Sequence, residues 1–338
     1  RHPGPLRKGD QPPQAPAWGS ELFPKTGVIL RDAFPSPRET QLHMIAGSNH
    51  DHYDDDSGSI TLWGKGRVIA DDFGYVSLAP QSEHNLLMAP GLGGLMYVKA
   101  FATSPALDYV QGVKGTWTRQ IAFVKSADPL GPAYFVFNDS LNTPSPYTWQ
   151  IWLTARNVTL GNAQAPAAEI PREADGTAMD QRFTKPTAAS RALMIGREDV
   201  DADLFILSPA KPMLRTEKKT RPSLAGLDAE GKQSQMTSTQ IGLIAESPQG
   251  TGASVLVYPR LKTAPPPTLT TIADGRGVKV QTEAGTDYVF LSPTPITYTE
   301  GDISFAGTVG AIQLRGKDPV LSLGATGTIS ARGKQLTQ

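Results

Sequence analysis

Histidine and aspartate concentrate in one part of this chain, in Asn49-His50-Asp51-His52-Tyr53-Asp54-Asp55-Asp56-Ser57-Gly58, then Ile69-Ala70-Asp71-Asp72-Phe73-Gly74 and Ser82-Glu83-His84-Asn85. Three of the five histidines lie there, so metal binding or acid/base work is to be expected near this segment. If the first run is extended, alternate residues project to the same side, which puts His50, His52 and Asp54 on one face. Imidazole and carboxylate together suit zinc, manganese or iron, and a donor from a distant strand would complete a shell. The competing reading is a solvated acidic turn whose Asp and Ser residues cap a hairpin. Read alone, His84-Asn85 is a weaker signal, since a single histidine before an apolar strand is ordinarily a hydrogen-bonded structural residue.

Those residues need strands to position them. Short apolar runs bounded by Gly or Pro occur at Gly27–Arg31 and Gln41–Ala46. Ile60 and Leu62 alternate with polar neighbours, Lys65-Gly66 reads as a tight turn, and Arg67–Ala70 reads as the returning strand that delivers Asp72. Further strands are expected at Leu95–Ala100, Trp117–Val124, Ala133–Phe137, Tyr147–Leu153, Leu204–Leu207, Ile241–Ala245 and Ser254–Tyr258. Leu160 to Val200 reads as long surface loops, Glu217 to Thr237 as an exposed connection, and Gly91 to Gly94 as a plain turn. Trp63 and Trp152 fall on the more polar phases of their strands, where they could stack on sugar rings or serve as half-buried sandwich residues.

The composition agrees with many short strands. Apolar residues make up 39% and charged residues 19%, while 33 Gly and 29 Pro in 338 residues supply abundant turns. The expected fold is all-β: a large antiparallel β-sandwich over 25–264, then a small C-terminal β domain over 265–338, with the boundary at Pro265-Pro266-Pro267. Residues 1–24 read as a Pro-rich linker arriving from a longer protein. The formal net charge of +0 offers no overall field to draw in nucleic acid or an anionic membrane surface. With Cys 0, disulfides, thiolate ligands and thiol nucleophiles are excluded. No apolar run is long enough for a membrane span, and periplasmic or secreted placement is the expectation.

The run His50-Asp51-His52-Tyr53-Asp54, the hairpin turn Lys65-Gly66, Asp72-Phe73-Gly74 and His84-Asn85 resembles, in that order, the C-terminal β-sandwich of the heparinase II/III-like polysaccharide lyases. The likeness continues through Asp108-Tyr109, Arg119–Val124, Tyr134–Asp139 and Tyr147–Gln150. The resemblance implies a zinc site of mainly structural role with Asp54, Asp72 and His84 as ligands, manganese or calcium being the alternatives. It implies a catalytic role for His52. The interval from Asp54 to Asp72 is slightly longer than the family's, which makes Asp56 and Asp71 substitute ligands; His50 and Asn85 complete the candidate set. It further implies an acidic, uronate-containing polysaccharide as substrate, cleaved by β-elimination, and a helical toroid, absent from this sequence, as the other half of the cleft.

Two rival functions fit the same residues. The His50-x-His52 pair with a nearby carboxylate and a later histidine is also similar to a cupin-like metal-dependent oxidase or dioxygenase. A non-catalytic saccharide-binding module would use Trp63 and Trp152 as its platforms.

Overall fold

The structure, a computed structural model, describes residues 18–48, 55–73, 80–163, 165–172, 178–227 and 233–338. Strands from Glu21 to Leu261 join one antiparallel sheet of 18 strands, and those from Thr268 to Thr337 form a second of seven. Among the described residues there is no α-helix, only two short 3-10 turns at Gln81–Glu83 and Ala273–Gly275. The all-β sandwich expected from the sequence is the fold observed.

The first strands form a meander. Gly27–Asp32, Thr40–Ile45, Ile60–Gly64 and Arg67–Ala70 pair consecutively and antiparallel. Thr40–Ile45 alternates buried and half-buried positions, as does Ile60–Gly64, so one face enters a core. Between the last two strands, Lys65 (φ 52°) and Gly66 (φ 77°) both take positive φ, the signature of a type I′ hairpin turn. A side chain at Gly66 would also strike the carbonyl oxygen of Pro37. The turn sets the register that carries Arg67–Ala70 back toward Asp71 and Asp72.

The meander closes onto the longest strands. Tyr134–Leu153 runs 20 residues and pairs along its length with Gln233–Leu261, from Phe135 opposite Val257 to Leu153 opposite Ile241. Its end also meets the meander, Leu153 opposite Ala70. The two walls enclose one apolar core that includes Leu42, Leu62, Ile121, Phe135, Trp149, Leu243 and Val257.

Two stretches differ from the sequence expectation. Leu160 to Val200 is not only loop: it holds Ile170–Arg172, Asp180–Phe183, Thr187–Ala188 and Arg191–Gly196. Nor is Glu217 to Thr237 simply an exposed connection, since it forms antiparallel arms of Met213–Leu227 and Gln233–Leu261. Glu217, Lys219 and Arg221 are buried there. An all-polar alternation hides a strand from hydrophobic periodicity, because the signal depends on apolar residues facing inward.

Past Pro265–Pro267 the chain enters the second sheet, which docks on the back of the first. Val278, Val280, Val289, Leu291, Val309 and Ala311 pack against Tyr109, Val124, Tyr134, Val136, Leu256 and Tyr258. Each such valine or leucine contributes about 1.5–3 kcal/mol when fully buried. The opposite face of the second sheet closes on its own cluster around Phe290 and Phe305, stacked at 4.2 Å. Polar ties cross the junction: Tyr134 Oη donates to Asp287 Oδ2 at 2.8 Å, and Arg315 clamps the same carboxylate.

Lys65 reaches from the hairpin turn to the carbonyl of Gly131 while 2% exposed. Burial pushes its ammonium down to about 8 from 10.5, only partly offset by Asp128 and Asp32. The folded-state value is lowered, so below about pH 8 both states are protonated and the folded state carries the full desolvation penalty. Between about 8 and 10.5 the folded chain sheds the proton first, and the penalty fades. Lys65→Met is therefore expected to raise Tm at pH 7, with the gain shrinking toward pH 10.5; thermal unfolding across that range checks it.

Candidate functional site

Strand Arg67–Ala70 ends at a corner formed with the 3-10 turn Gln81–Glu83 and the far half of Tyr134–Leu153. The backbone closes it: Asp71 N–H donates to Trp152 O at 3.3 Å and Gln150 N–H to Leu86 O at 3.1 Å. Gln150 Nε2 binds the carbonyl of His84 at 2.7 Å and that of Gln81 at 3.2 Å. His84 is thus fixed on both sides of its peptide, and its side chain is buried at 2% exposure.

Asn85 is the clasp of this corner. Its Nδ2 donates to Ile60 O at 2.7 Å and to Asp71 O at 3.2 Å, while its Oδ1 accepts the Trp152 N–H at 2.5 Å. Its own N–H donates to Ser59 Oγ at 3.0 Å. Every polar atom of the amide is spent on backbone, so Asn85 holds three segments together rather than presenting a ligand.

The two aspartates differ. Burial, reinforced by the charge of Asp72, pushes the Asp71 carboxyl up to about 6. Asp71 Oδ1 accepts the Asp72 N–H at 3.0 Å, and the Asp72 carbonyl takes a hydrogen bond from buried Gln240. Asp56 sits on the neighbouring loop, where its Oδ1 is buried and finds no hydrogen-bond partner among the described residues. The charge of Asp56 also acts on His43, whose imidazole is lowered mainly by burial.

Beneath the corner lies a buried charge cluster. The Glu83 carboxylate accepts Lys219 Nζ at 3.0 Å and the Arg221 guanidinium, all three residues being 4% exposed or less. Lys219 Nζ lies 5.9 Å from the Trp152 ring and Arg221 5.8 Å from Phe73. Lys219 and Arg221 went unnoticed in the sequence because their strand was taken for a loop. The available signal was their period of two with Glu217, in Glu217-x-Lys219-x-Arg221.

A second buried pair carries the loops. Arg119 grips Asp139 through both ends, Nε to Oδ1 at 2.8 Å and Nη2 to Oδ2 at 2.9 Å. Its Nη1 donates to Gly58 O at 2.6 Å and Asn85 O at 2.8 Å. Trp117 Nε1 and Trp149 Nε1 donate to the same carboxylate at 2.8 Å and 2.9 Å. The loop that follows the histidine-aspartate run and the corner that holds His84 thus hang from one guanidinium.

Asp71, Asp72, His84 and Asn85 meet at the corner, with Asp56 on the loop nearby; His50, His52 and Asp54 lie outside the described residues. Among the described residues no three His, Asp or Glu side chains come together to hold a metal. Trp152 differs from the sequence expectation. At 1% exposure it packs edge-on against Phe73 at 5.0 Å and over Gly242, with Nε1 donating to Ser82 O at 3.0 Å, so no sugar can reach its face. The phase argument failed because this half of the strand is covered on both sides. Trp63 remains half-buried.

No family model and no curated protein matches the sequence. Solved structures do match in fold. A heparan sulfate lyase from Pedobacter heparinus superposes with TM-score 0.55 at 12% identity, over 82% of this chain and 43% of that one. A heparinase III gives TM-score 0.51 at 12% identity, over 81% and 42%. At this identity the likeness is one of fold, and the chain spans less than half the length of these lyases.

Asp139→Ala leaves Arg119 charged, buried and half-bonded, together with two indole N–H groups. It is expected to cost about 3–5 kcal/mol, measured by denaturant unfolding.

Proposed function

We propose that this chain is the β-sandwich portion of a polysaccharide lyase that cleaves a uronic-acid-containing polysaccharide by β-elimination. The observation that carries the reading is the heparan sulfate lyase fold over 82% of the chain. It is supported by the corner that brings Asp71-Asp72 and His84-Asn85 into one neighbourhood. The chain spans 43% or less of those lyases, and a helical half as partner is assigned on the family resemblance alone. Periplasmic or secreted placement suits such a polymeric substrate. No helix among the described residues is long and apolar enough to cross a membrane.

Elimination removes the proton at C5 of a uronate and expels the oxygen at C4. That proton lies α to a carboxylate, so the carboxylate must be neutralised by donors or a cation before a base can take it. His52 is assigned as the proton acceptor, since a neutral imidazole can accept near pH 7. The carboxylate's donors are assigned to the helical half, because Lys219 and Arg221 are buried on Glu83.

A zinc ion is assigned to Asp54, Asp72 and His84. The described donors do not suffice by themselves, as no three come together, so the fit depends on Asp54. When bound, the metal would serve as a cross-link between the loop and the corner. Asp56 or Asp71 would be the substitute for its neighbour in that set.

His52→Ala is expected to abolish lyase turnover with Tm unchanged. Asp72→Ala is expected to lower both zinc content, read by elemental analysis, and Tm. Full activity in folded His52→Ala overturns the assignment of the base. Zinc retained at wild-type stoichiometry in Asp72→Ala overturns the metal site.

A further inference from the structure

The arm strands Met213–Leu227 and Gln233–Leu261 turn a polar row toward the corner. Gln181 pairs with Lys219 and Lys219 with Gln240, and directly paired residues project from the same side of a sheet. All three are buried, at 3%, 4% and 2% exposure. Gly242, two residues beyond Gln240 and so on the same face, pairs with Trp152. The row therefore runs beside the indole that packs on Phe73, the residue after Asp72.

Gln240 is the member of the row that touches the candidate site. Its Nε2 donates to the main-chain oxygen of Asp72, while its cross-strand neighbour Lys219 holds Glu83, the residue before His84. One pair of side chains thus grips both segments that carry assigned ligands. The other end of the Gln240 carboxamide is open: Oε1 is buried and has no hydrogen-bond partner among the described residues. Gln181 also leaves its Oε1 unpartnered, but its amide is spent on Glu217 at 2.5 Å and not on the corner.

A buried acceptor without a donor is unfavourable and calls for a water, an ion or a ligand. The amide and indole donors of the corner are already used. Asn85 Nδ2 serves Ile60 O and Asp71 O, Gln150 Nε2 serves the carbonyls of Gln81 and His84, and Trp152 Nε1 serves Ser82 O. The Asp72 that Gln240 grips carries a carboxylate of its own, and Asp71 Oδ1 folds back onto the Asp72 N–H at 3.0 Å. A carboxamide oxygen in company with carboxylates is the donor set of a hard divalent cation. Burial and the bond to Asp72 also hold the amide in place before any ion arrives, as the outer partners of metal ligands do.

Given the metal assigned above, on which this step rests, we infer that the Gln240 carboxamide oxygen is a ligand of the divalent cation at Asp72, so that the arm contributes a donor to its shell. The two ends of one amide then have separate tasks: Nε2 positions Asp72 and Oε1 binds the ion. Such an oxygen-rich shell suits manganese or calcium at least as well as zinc.

The test is calorimetric titration of the full chain, stripped with a chelator, with Mn²⁺, Ca²⁺ and Zn²⁺, and Tm read with and without each ion. For the ion that wild type holds most tightly, Gln240→Leu removes both ends of the amide and should weaken binding by about tenfold or more. It should also lose most of the ion-induced rise in Tm. Gln240→Glu keeps an oxygen donor and loses the N–H on Asp72, so it should bind the ion as tightly as wild type or more so. Equal weakening in both variants overturns the ligand role and leaves Gln240 as a residue that only positions Asp72. Wild-type binding in folded Gln240→Leu overturns it as well and leaves Oε1 to a buried water. Should Gln240→Leu fail to fold, Gln240→Glu decides. Asp72→Ala keeps the two assignments apart: an ion lost in Asp72→Ala but retained in Gln240→Leu overturns the Gln240 ligand alone. No binding by wild type, or full binding in Asp72→Ala, overturns the metal site and the Gln240 ligand with it.

Discussion

The ion pair of Arg119 and Asp139 is the constraint on which the rest of the site depends. A guanidinium and a carboxylate taken out of water incur a large desolvation cost, which is offset only if nearly every donor and acceptor is used. Here Asp139 takes two indole N–H groups in addition to Arg119, and Arg119 spends its remaining terminus on the carbonyls of Gly58 and Asn85. Both residues sit on central strands, Trp117–Val124 and Tyr134–Leu153, whose register sets them opposite one another. The rigid wall of the sandwich therefore specifies where two loops must lie. Asn85 then extends the same arrangement outward, to Ile60, Asp71 and Trp152.

Polar burial in this corner serves two purposes that composition alone does not separate. Asn85, Gln150, Arg119 and the Glu83–Lys219–Arg221 cluster are saturated with partners and act as scaffold. Asp71 and Asp56 stand differently: one is held above the usual carboxylate range by burial and Asp72, the other has a buried oxygen with no hydrogen bond among the described residues. Groups strained in this way are where chemistry or a ligand is to be expected. Asp56 directly follows, in sequence, the run that contains His52 and Asp54.

Much of the fold was legible because its hairpins follow simple rules. The alternation in Thr40–Ile45 and Ile60–Gly64 and the turn at Lys65-Gly66 were readable from residue type, and they are what delivers Asp72. The strand carrying Glu217, Lys219 and Arg221 was not, since its inward face is charged and its neutralising partner, Glu83, lies far away in sequence. Trp152 was misplaced for a related reason: whether a strand's polar phase meets solvent depends on what the rest of the chain lays over it. The clasp formed by Asn85 has no local signature at all, as its partners come from three separate segments. The docking of the second sheet likewise depends on matching apolar faces, Val289 and Leu291 against Tyr134 and Leu256, that only tertiary structure brings together.

The elimination proposed for this sandwich is distinguished from hydrolysis by the reaction's own atoms. The most direct measurement is mass spectrometry of the oligosaccharides released from uronate polymers in ¹⁸O-labelled water by the protein in its natural full-length form. Elimination leaves a C4–C5 double bond at the new non-reducing end and draws no oxygen from water. Unlabelled unsaturated products are expected, whereas saturated products carrying one ¹⁸O would contradict the proposed elimination.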